Sequence, residues 1–329
     1  MTKLDYISLK SWVVAGLLSV TGLVAATTFL APSQAAASSD LRSATISRKN
    51  YNEAMNSIDQ QIKQEESDSS IRPECRTYTK THGKRAAKAV LMIHGISGCS
   101  NVYQKLADEF YNQGYNVYVP RVPKHGYTDN KRHGEISTKD IADFMKTSAQ
   151  QVSGLGDELG IIGHSGGGDM ATWLAQYGNG FFTNVLLLAP FYEPAASQAP
   201  KWQLPVLRTL YGYNILPDKF SPSGLSYRAL GKYLIVKQNF KKDLAAPGLK
   251  RVATVTSEND DAVDNGLAVS IPQRMAQANN ASFQHYNLPK RLNIGHNMVS
   301  PTDGGMATYH QAVYTQYLNL YEGHQTAEI

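Results

Sequence analysis

The run Gly163-His164-Ser165-Gly166-Gly167 holds the residue types that nucleophilic acyl chemistry needs. A serine hydroxyl is a weak nucleophile at neutral pH, so it reacts only when held in the open beside a base. A sharp strand-to-helix turn can hold it there. Such a turn strains the serine backbone, and the positions two before and two after must lack bulk for the chain to pass. Gly163 and Gly167 stand at those positions. The flanks agree, with the apolar stretch 159–162 before the turn and Met170, Trp173, Leu174 and Tyr177 at helical spacing after it. Two other readings compete. A Gly-rich structural turn has no chemistry, and a dinucleotide turn would need glycine where Ser165 stands and an acidic residue about 20 positions on, which is missing.

Acyl transfer also needs donors aimed at the oxygen that becomes negative, best supplied by backbone N–H groups fixed in advance. His94-Gly95-Ile96 ends the apolar run Ala89-Val90-Leu91-Met92-Ile93 and provides a second turn. The expected donors are the amides of Ile96 and of Gly166, the residue after the nucleophile. His94 itself reads as a buried structural histidine. The sequence has no H-E-x-x-H, no C-x-x-C and no histidines at ligand spacing, so neither a metal nor a cofactor is expected.

These turns need a frame. From Cys75 onward strand and helix candidates alternate, the pattern of an α/β fold whose mostly parallel central sheet is covered by helices on both faces. Strands are expected at 89–93, 115–119, 159–162, 185–189, 251–256 and 283–288. One helix carries Val102, Leu106 and Phe110 and stops at Gly114; another opens at Ser137, with Asp140 three residues on as in a capping box; a last one covers 306–321. Residues from about 191 to 248 break the rhythm and read as a helical cap inserted before the strand that leads to the acid. The cap holds Trp202, Leu204, Val206, Leu207, Leu210, Tyr211 and Tyr213, then Tyr227, Leu230, Tyr233 and Leu234 at helical spacing, a pattern that packed core explains as readily as an acyl pocket.

Ahead of this domain, Lys3 and Lys10 precede the uncharged stretch 11–37, which ends Ala35-Ala36-Ala37 in the manner of a secretory signal. The apolar part, 12–30, also reaches the length of a short membrane span, so residues 1–37 read as a signal peptide cleaved near Ala37 or as an N-terminal membrane anchor. Both readings export the body to the periplasm, the cell surface or the medium. Residues 38–74 form a polar extension with one amphipathic helix through Tyr51, Met55, Ile58 and Ile62, and 75–329 form the catalytic-type domain. An oxidising compartment makes the only two cysteines, Cys75 and Cys99, a candidate disulfide, with two buried free thiols as the alternative. The formal charge of +5 comes from scattered Lys and Arg, never a basic block interleaved with aromatics, which excludes a nucleic-acid partner.

Together these residues resemble the α/β-hydrolases, and within them the monoacylglycerol-lipase-like and carboxylesterase-like branch that is also grouped with the serine aminopeptidases. The matching pieces are the His94-Gly95 turn, Pro120-Arg121-Val122-Pro123-Lys124-His125-Gly126, the bend at Ser165, the acidic turn around Asp260 and Gly295-His296. Cys75 and Cys99 are similar to a pair kept by an exported subgroup. The resemblance implies the chain order serine, acid, histidine. It therefore implies His296 as the base and, through the pattern Gly-x-x-Asp-x-x-Val, Asp260 as the acid. Ser257 stands where that pattern has glycine, and Asp261 and Glu193 remain alternative acids. The implied activity is hydrolysis of carboxylic esters through an acyl-enzyme on Ser165, on a small-molecule or lipid ester such as a monoacylglycerol. An aminopeptidase-like peptidase and a non-catalytic hydrolase-like binding protein are the other classes. Oligomeric state and chain-length preference leave no mark in the sequence.

Overall fold

A computed structural model describes residues 39–42 and 46–329. The expected leader or anchor, 1–37, lies outside the described residues. The sheet has seven strands: β1 Tyr78–Lys80, β2 Ala86–Ile93, β3 Tyr115–Val119, β4 Gly156–His164, β5 Phe182–Leu188, β6 Arg251–Ser257 and β7 Ser282–Leu288. Their order is β1-β3-β2-β4-β5-β6-β7, and every neighbouring pair is parallel except β1 with β3. Parallel strands buried on both faces read as unbroken apolar runs, and the last five residues of β2 and all five of β3 are buried.

Among the described residues there are seven longer helices, all but the cap helix α5 packed around the sheet: α1 Tyr51–Ser67, α2 Gln104–Asn112, α3 Thr138–Ser153, α4 Gly166–Tyr177, α5 Tyr227–Gln238, α6 Asn265–Ala278 and α7 Met306–Glu322. The capping box expected at α3 is formed, since Ser137 Oγ accepts from the Asp140 amide and the Asp140 carboxylate accepts from the Ser137 amide. A second box, Asn50 with Glu53, starts α1. Ala54 and Ile58 of α1 are buried, and a methyl group on Gly154, just after α3, would come within 2.5 Å of Ala54 Cβ. Glycine there lets the two helices close on each other.

The structure departs from the pattern reading at three strand starts, since β2, β4 and β5 each begin three residues early, and in two further elements. β4 begins at Gly156 rather than 159, because Gly156 and Glu158 pair with Ala86 and Lys88 of β2 although Asp157 is exposed and Glu158 is charged. The antiparallel edge strand β1 and helix α6 were not expected. β1 is three residues of mixed polarity, too short for any period to show. Helix α6 contains Pro272, a breaker in a helix interior, yet Asp264 caps its start by accepting from the Leu267 amide and Ala268, Ile271 and Met275 bury one face.

Cys75 and Cys99 form a disulfide with their Cα atoms 5.2 Å apart. It ties the segment before β1 to the loop that follows His94-Gly95-Ile96, and Gly126 lies against it at φ +73°, where an added methyl group would sit 2.6 Å from Cys75 Cβ. The bridge thus braces the loop expected to supply an oxyanion donor. Replacing both cysteines by serine is expected to lower the free energy of unfolding by about 3 kcal/mol in the chain-entropy account. Equilibrium urea unfolding of the oxidised wild type against the double variant measures this, and equal midpoints would refute a stabilising bridge.

Candidate active site

Ser165 sits between the end of β4 and the first residue of α4, with φ +53° and ψ −120°. A side chain in that region is strained by about 1–3 kcal/mol, and its surroundings must enforce it. The Ser165 amide donates to Leu188 O of β5 at 2.9 Å, and the Ser165 carbonyl accepts from the amides of Gly168 and Phe191. Glycine is dictated on both sides. A methyl group at Gly163 would come within 2.2 Å of Gly167 O, and one at Gly167 within 2.0 Å of Ile93 O. Both contacts are with backbone that has nowhere to move.

The residue expected as base arrives from the far end of the chain. His296 lies on the loop between β7 and α7, and its Nε2 is 2.8 Å from Ser165 Oγ while its Nδ1 is 2.9 Å from Asp260 Oδ2. Asp260 leaves β6 by a short loop and its side chain is fully buried. Its other oxygen accepts from the Ala262 amide at 2.8 Å. Burial works to raise the Asp260 carboxyl, but the hydrogen bond and charge of His296 and the Ala262 amide outweigh it, so it titrates below the ordinary carboxylate range. Of the three acids left open by the sequence, Asp260 alone reaches His296. Asp261 is exposed, and Glu193 is ion-paired with Lys237 at 2.7 Å.

Ile96 and Gly166 meet beside the serine. A methyl group at Gly166 would come within 2.6 Å of Ile96 Cγ1, and one at Gly95 within 2.9 Å of Ser165 Cβ. Gly166 is the first residue of α4, where helical N–H groups lack internal partners and the helix dipole favours negative charge. His94 is fully buried under this turn. Its Nε2 accepts from the Val122 amide at 3.0 Å and its Nδ1 donates to Gly95 O at 3.0 Å, which fixes one neutral tautomer. Burial pushes its pKa down to about 4.

Three further residues shape the site without having been singled out for it. His164 Nε2 donates to the backbone carbonyl of His296 at 2.8 Å, so the residue before Ser165 holds the loop that carries His296. Burial, helped by the neighbouring His296, lowers the His164 pKa to about 3. Ser257, the departure from glycine in the acid turn, donates from Oγ to Ile294 O two residues before His296. Tyr233 of α5 covers the top of the nucleophile helix, its ring 2.7 Å from where a Gly166 methyl group would stand. Residue 164 had no sequence signal for a partner 132 positions away; Tyr233 did stand out, but only as one apolar position of a cap helix.

Among the described residues no group of three or more His, Cys, Asp or Glu is placed to hold a metal ion. What the arrangement can do is transfer a proton from a serine hydroxyl to an imidazole oriented by a buried carboxylate, next to backbone amides.

Residues 84–246 match the family model described as serine aminopeptidase, S33. No curated protein is significantly similar to the chain in sequence. Among solved structures it is similar to one described with the two metagenome-derived lipolytic enzymes LipS and LipT, at TM-score 0.58 and 17% identity over 77% of this chain and 100% of that one. It is also similar to the monoacylglycerol lipase of Paleococcus ferrophilus, at TM-score 0.55 and 16% identity over 74% and 99% of the two chains. A soluble variant of the Saccharomyces cerevisiae monoglyceride lipase, in complex with a substrate analogue, follows at TM-score 0.52 and 14% identity over 73% and 90%. Those identities speak to the fold, and the family match speaks to the lineage of its central part. The fold is that of the α/β-hydrolases, and the central part of the chain, residues 84–246, is similar to the serine aminopeptidase S33 family.

Proposed function

We propose that the chain is a serine hydrolase that cleaves carboxylic esters through an acyl-enzyme on Ser165. The observation that supports it most is the continuous relay from Ser165 Oγ through His296 to Asp260, with both hydrogen bonds under 3 Å. His296 takes the hydroxyl proton as Ser165 attacks the ester carbonyl, and the carbonyl oxygen, now negative, is received by the amides of Ile96 and Gly166. Buried, ionised Asp260 holds the imidazole in the useful tautomer and stabilises its charged form. The tetrahedral intermediate collapses, the alcohol leaves with the proton from His296, and water reverses the sequence to release the acid. Lipid esters such as monoacylglycerols suit the apolar, tyrosine-rich cap over Gly166. The reading includes export of the body, which a Cys75–Cys99 bridge favours because disulfides persist in oxidising compartments.

A fluorophosphonate probe is expected to label wild type and not Ser165→Ala, and Ser165→Ala or Asp260→Asn should lower kcat/KM on a p-nitrophenyl ester by about 10³-fold or more. Asp261→Asn should stay within about two-fold. Folded wild type that takes no probe would reject the enzyme, and faster cleavage of an aminoacyl anilide than of the ester would turn it into a peptidase. Export predicts that the protein recovered from outside the cytoplasm gains two free thiols on denaturing reduction; thiols free before reduction would contradict it.

The neutral histidines that frame the site also predict how stability follows pH. His94 and His164 are held neutral by burial in the folded chain, whereas in the unfolded chain they gain a proton below the ordinary value of 6.5. Their stabilisation is complete above that pH and is lost as pH falls toward about 4 for His94 and about 3 for His164. Unfolding midpoints should therefore drop steadily from pH 6.5 to 4, a window above the ordinary carboxylate range, and a flat profile there would show that these rings are not buried neutral.

A further inference from the structure

Helices α1 and α3 meet at one end and part at the other. They touch at Ala54 and Gly154 and are bridged at Gln61 and Gln151, where Gln151 Nε2 donates to Gln61 Oε1 at 3.3 Å. Tyr118 Oη, from β3, sits against both glutamines, 3.0 Å from Gln61 Oε1 and 2.5 Å from Gln151 Oε1. Past this bridge no hydrogen bond or ion pair joins the two helices among the described residues. The gap is a groove of about 570 Å³, lined between the helices by Arg121 and Tyr127 of the segment after β3. That volume lies in the range of small-molecule sites. None of Ser165, Asp260 and His296 lines it.

Each charge in the groove already has a partner in the chain. Glu65, 4% exposed, accepts from the Thr77 amide and hydroxyl at 2.6 and 2.9 Å and pairs with Arg121 at 3.4 Å. Arg121 also donates to His125 O at 2.9 Å and lies over the ring of Tyr127. Asp68 accepts from Ser70, Asp140 from Ser137 and Asp143 from Lys139, and Lys124 pairs with Glu135 at 3.9 Å.

The neutral groups are left over. Ser148 lines the groove from a residue only 1% exposed, and neither its hydroxyl nor the side chains of Gln64 and Thr147 bond to any described residue. A serine or threonine inside a helix can return its hydroxyl to the carbonyl four residues back, as Thr172 does to Gly168. Ser148 does not. A hydroxyl buried on every other side and open only to a groove is offered to whatever fills the groove.

This division of labour selects a class of ligand. An apolar molecule would strip water from amides and hydroxyls and give nothing back. An anion would face four carboxylates, and a cation would face acids that are already engaged. A helical peptide needs an apolar groove and an extended one an open sheet edge, and a groove walled by two helices and mostly polar side chains offers neither. A neutral molecule rich in hydroxyls supplies donors and acceptors to all three idle side chains at once. We infer that the groove between α1 and α3 is a binding site for an uncharged saccharide, held through Gln64, Thr147 and Ser148. The site goes beyond the ester-hydrolase reading and does not depend on it, since no residue of the Ser165 relay takes part. Occupied, it tethers the domain to carbohydrate through the N-terminal helix.

Maltotriose, cellotriose and triacetylchitotriose serve as probes, titrated calorimetrically into full-length protein carrying Ser165→Ala so that turnover does not intervene. At least one of them is expected to bind with a Kd of about 1 mM or tighter. Gln64→Ala, Thr147→Ala and Ser148→Ala together should weaken that binding by about ten-fold or more, the loss that three ordinary hydrogen bonds imply. Because Gln64 and Thr147 are exposed and Ser148→Ala removes only an unbonded hydroxyl, the triple variant should unfold in urea at no lower a midpoint than its parent. Thr147→Arg alone, which places bulk and charge in the groove from an exposed position, should abolish binding as well.

No binding heat from any of the three trisaccharides at about 10 mM would overturn the proposal, as would equal affinity in either variant. Binding of tetra-alanine amide or inorganic phosphate in place of the sugars would assign the groove to another class of ligand and also overturn it. Failure of folded, sugar-binding wild type to take a fluorophosphonate probe would reject the hydrolase reading and leave the groove standing.

Discussion

The backbone of Ser165 is the constraint around which the domain is arranged. Its φ of +53° is unfavourable for any residue with a side chain, so it persists only where neighbours leave no alternative. β5 supplies the first restraint, receiving the Ser165 amide at Leu188 O. The close passage of Gly163 and Gly167 beside backbone carbonyls supplies the second. Strand order does the rest: β4 lies between β2 and β5, so the bend emerges beside the turn that ends β2. That placement puts Gly95 and Ile96 against Ser165 with no long-range design beyond sheet pairing. Strain at one residue is thus sustained by the most deeply buried part of the fold.

The relay has a different kind of support. Ser165 and His296 are 131 positions apart, and their meeting depends on two loops leaving the same end of the sheet. Each loop is tied to something rigid. The His296 loop is held through its carbonyl by His164, which is part of the strained bend itself, and through Ile294 O by Ser257 at the end of β6. The acid loop is held by Asn265 Nδ2 on Asp260 O at 3.1 Å and by the paired backbones of Pro194 and Val263. His296 and Asp260 are therefore held by the strands as well as by each other, so a close hydrogen-bonding geometry survives in segments without regular structure.

How much of this was legible in the sequence follows from the range of the forces involved. The bend at Ser165 announces itself because its sterics are local: two glycines at fixed offsets between an apolar strand and an amphipathic helix leave few other uses. The central strands are legible because burial on both faces removes polar residues from them. His296 and Asp260 were reachable through resemblance, which carries chain order, but residue types alone did not choose between Asp260, Asp261 and Glu193. Space chose: Asp261 turns to solvent, and Lys237 occupies Glu193. The role of His164 was illegible, since a hydrogen bond from a ring to a distant carbonyl places no demand on the partner's identity. Helix α6 was hidden by Pro272, whose local penalty is overridden by burial of its neighbours.

The cap shows where a periodic pattern is ambiguous in principle. Apolar residues at helical spacing report that one face is covered, and they do not say whether the second face is covered by protein, by substrate or by neither. In α5 the answer is protein, since Leu230, Tyr233, Leu234, Ile235 and Val236 are all buried. In 201–216 the same spacing belongs to two faces at once, with Leu207 and Tyr211 packed inward and Trp202 and Val206 facing out. The glycine pair Gly212 and Gly231 is what permits this, because it lets the outer segment approach α5 through its backbone rather than through large side chains. Side chains that would otherwise have filled the interface are then free to face solvent, so the exposed apolar surface is a consequence of how closely the two layers of the cap are joined above Ser165.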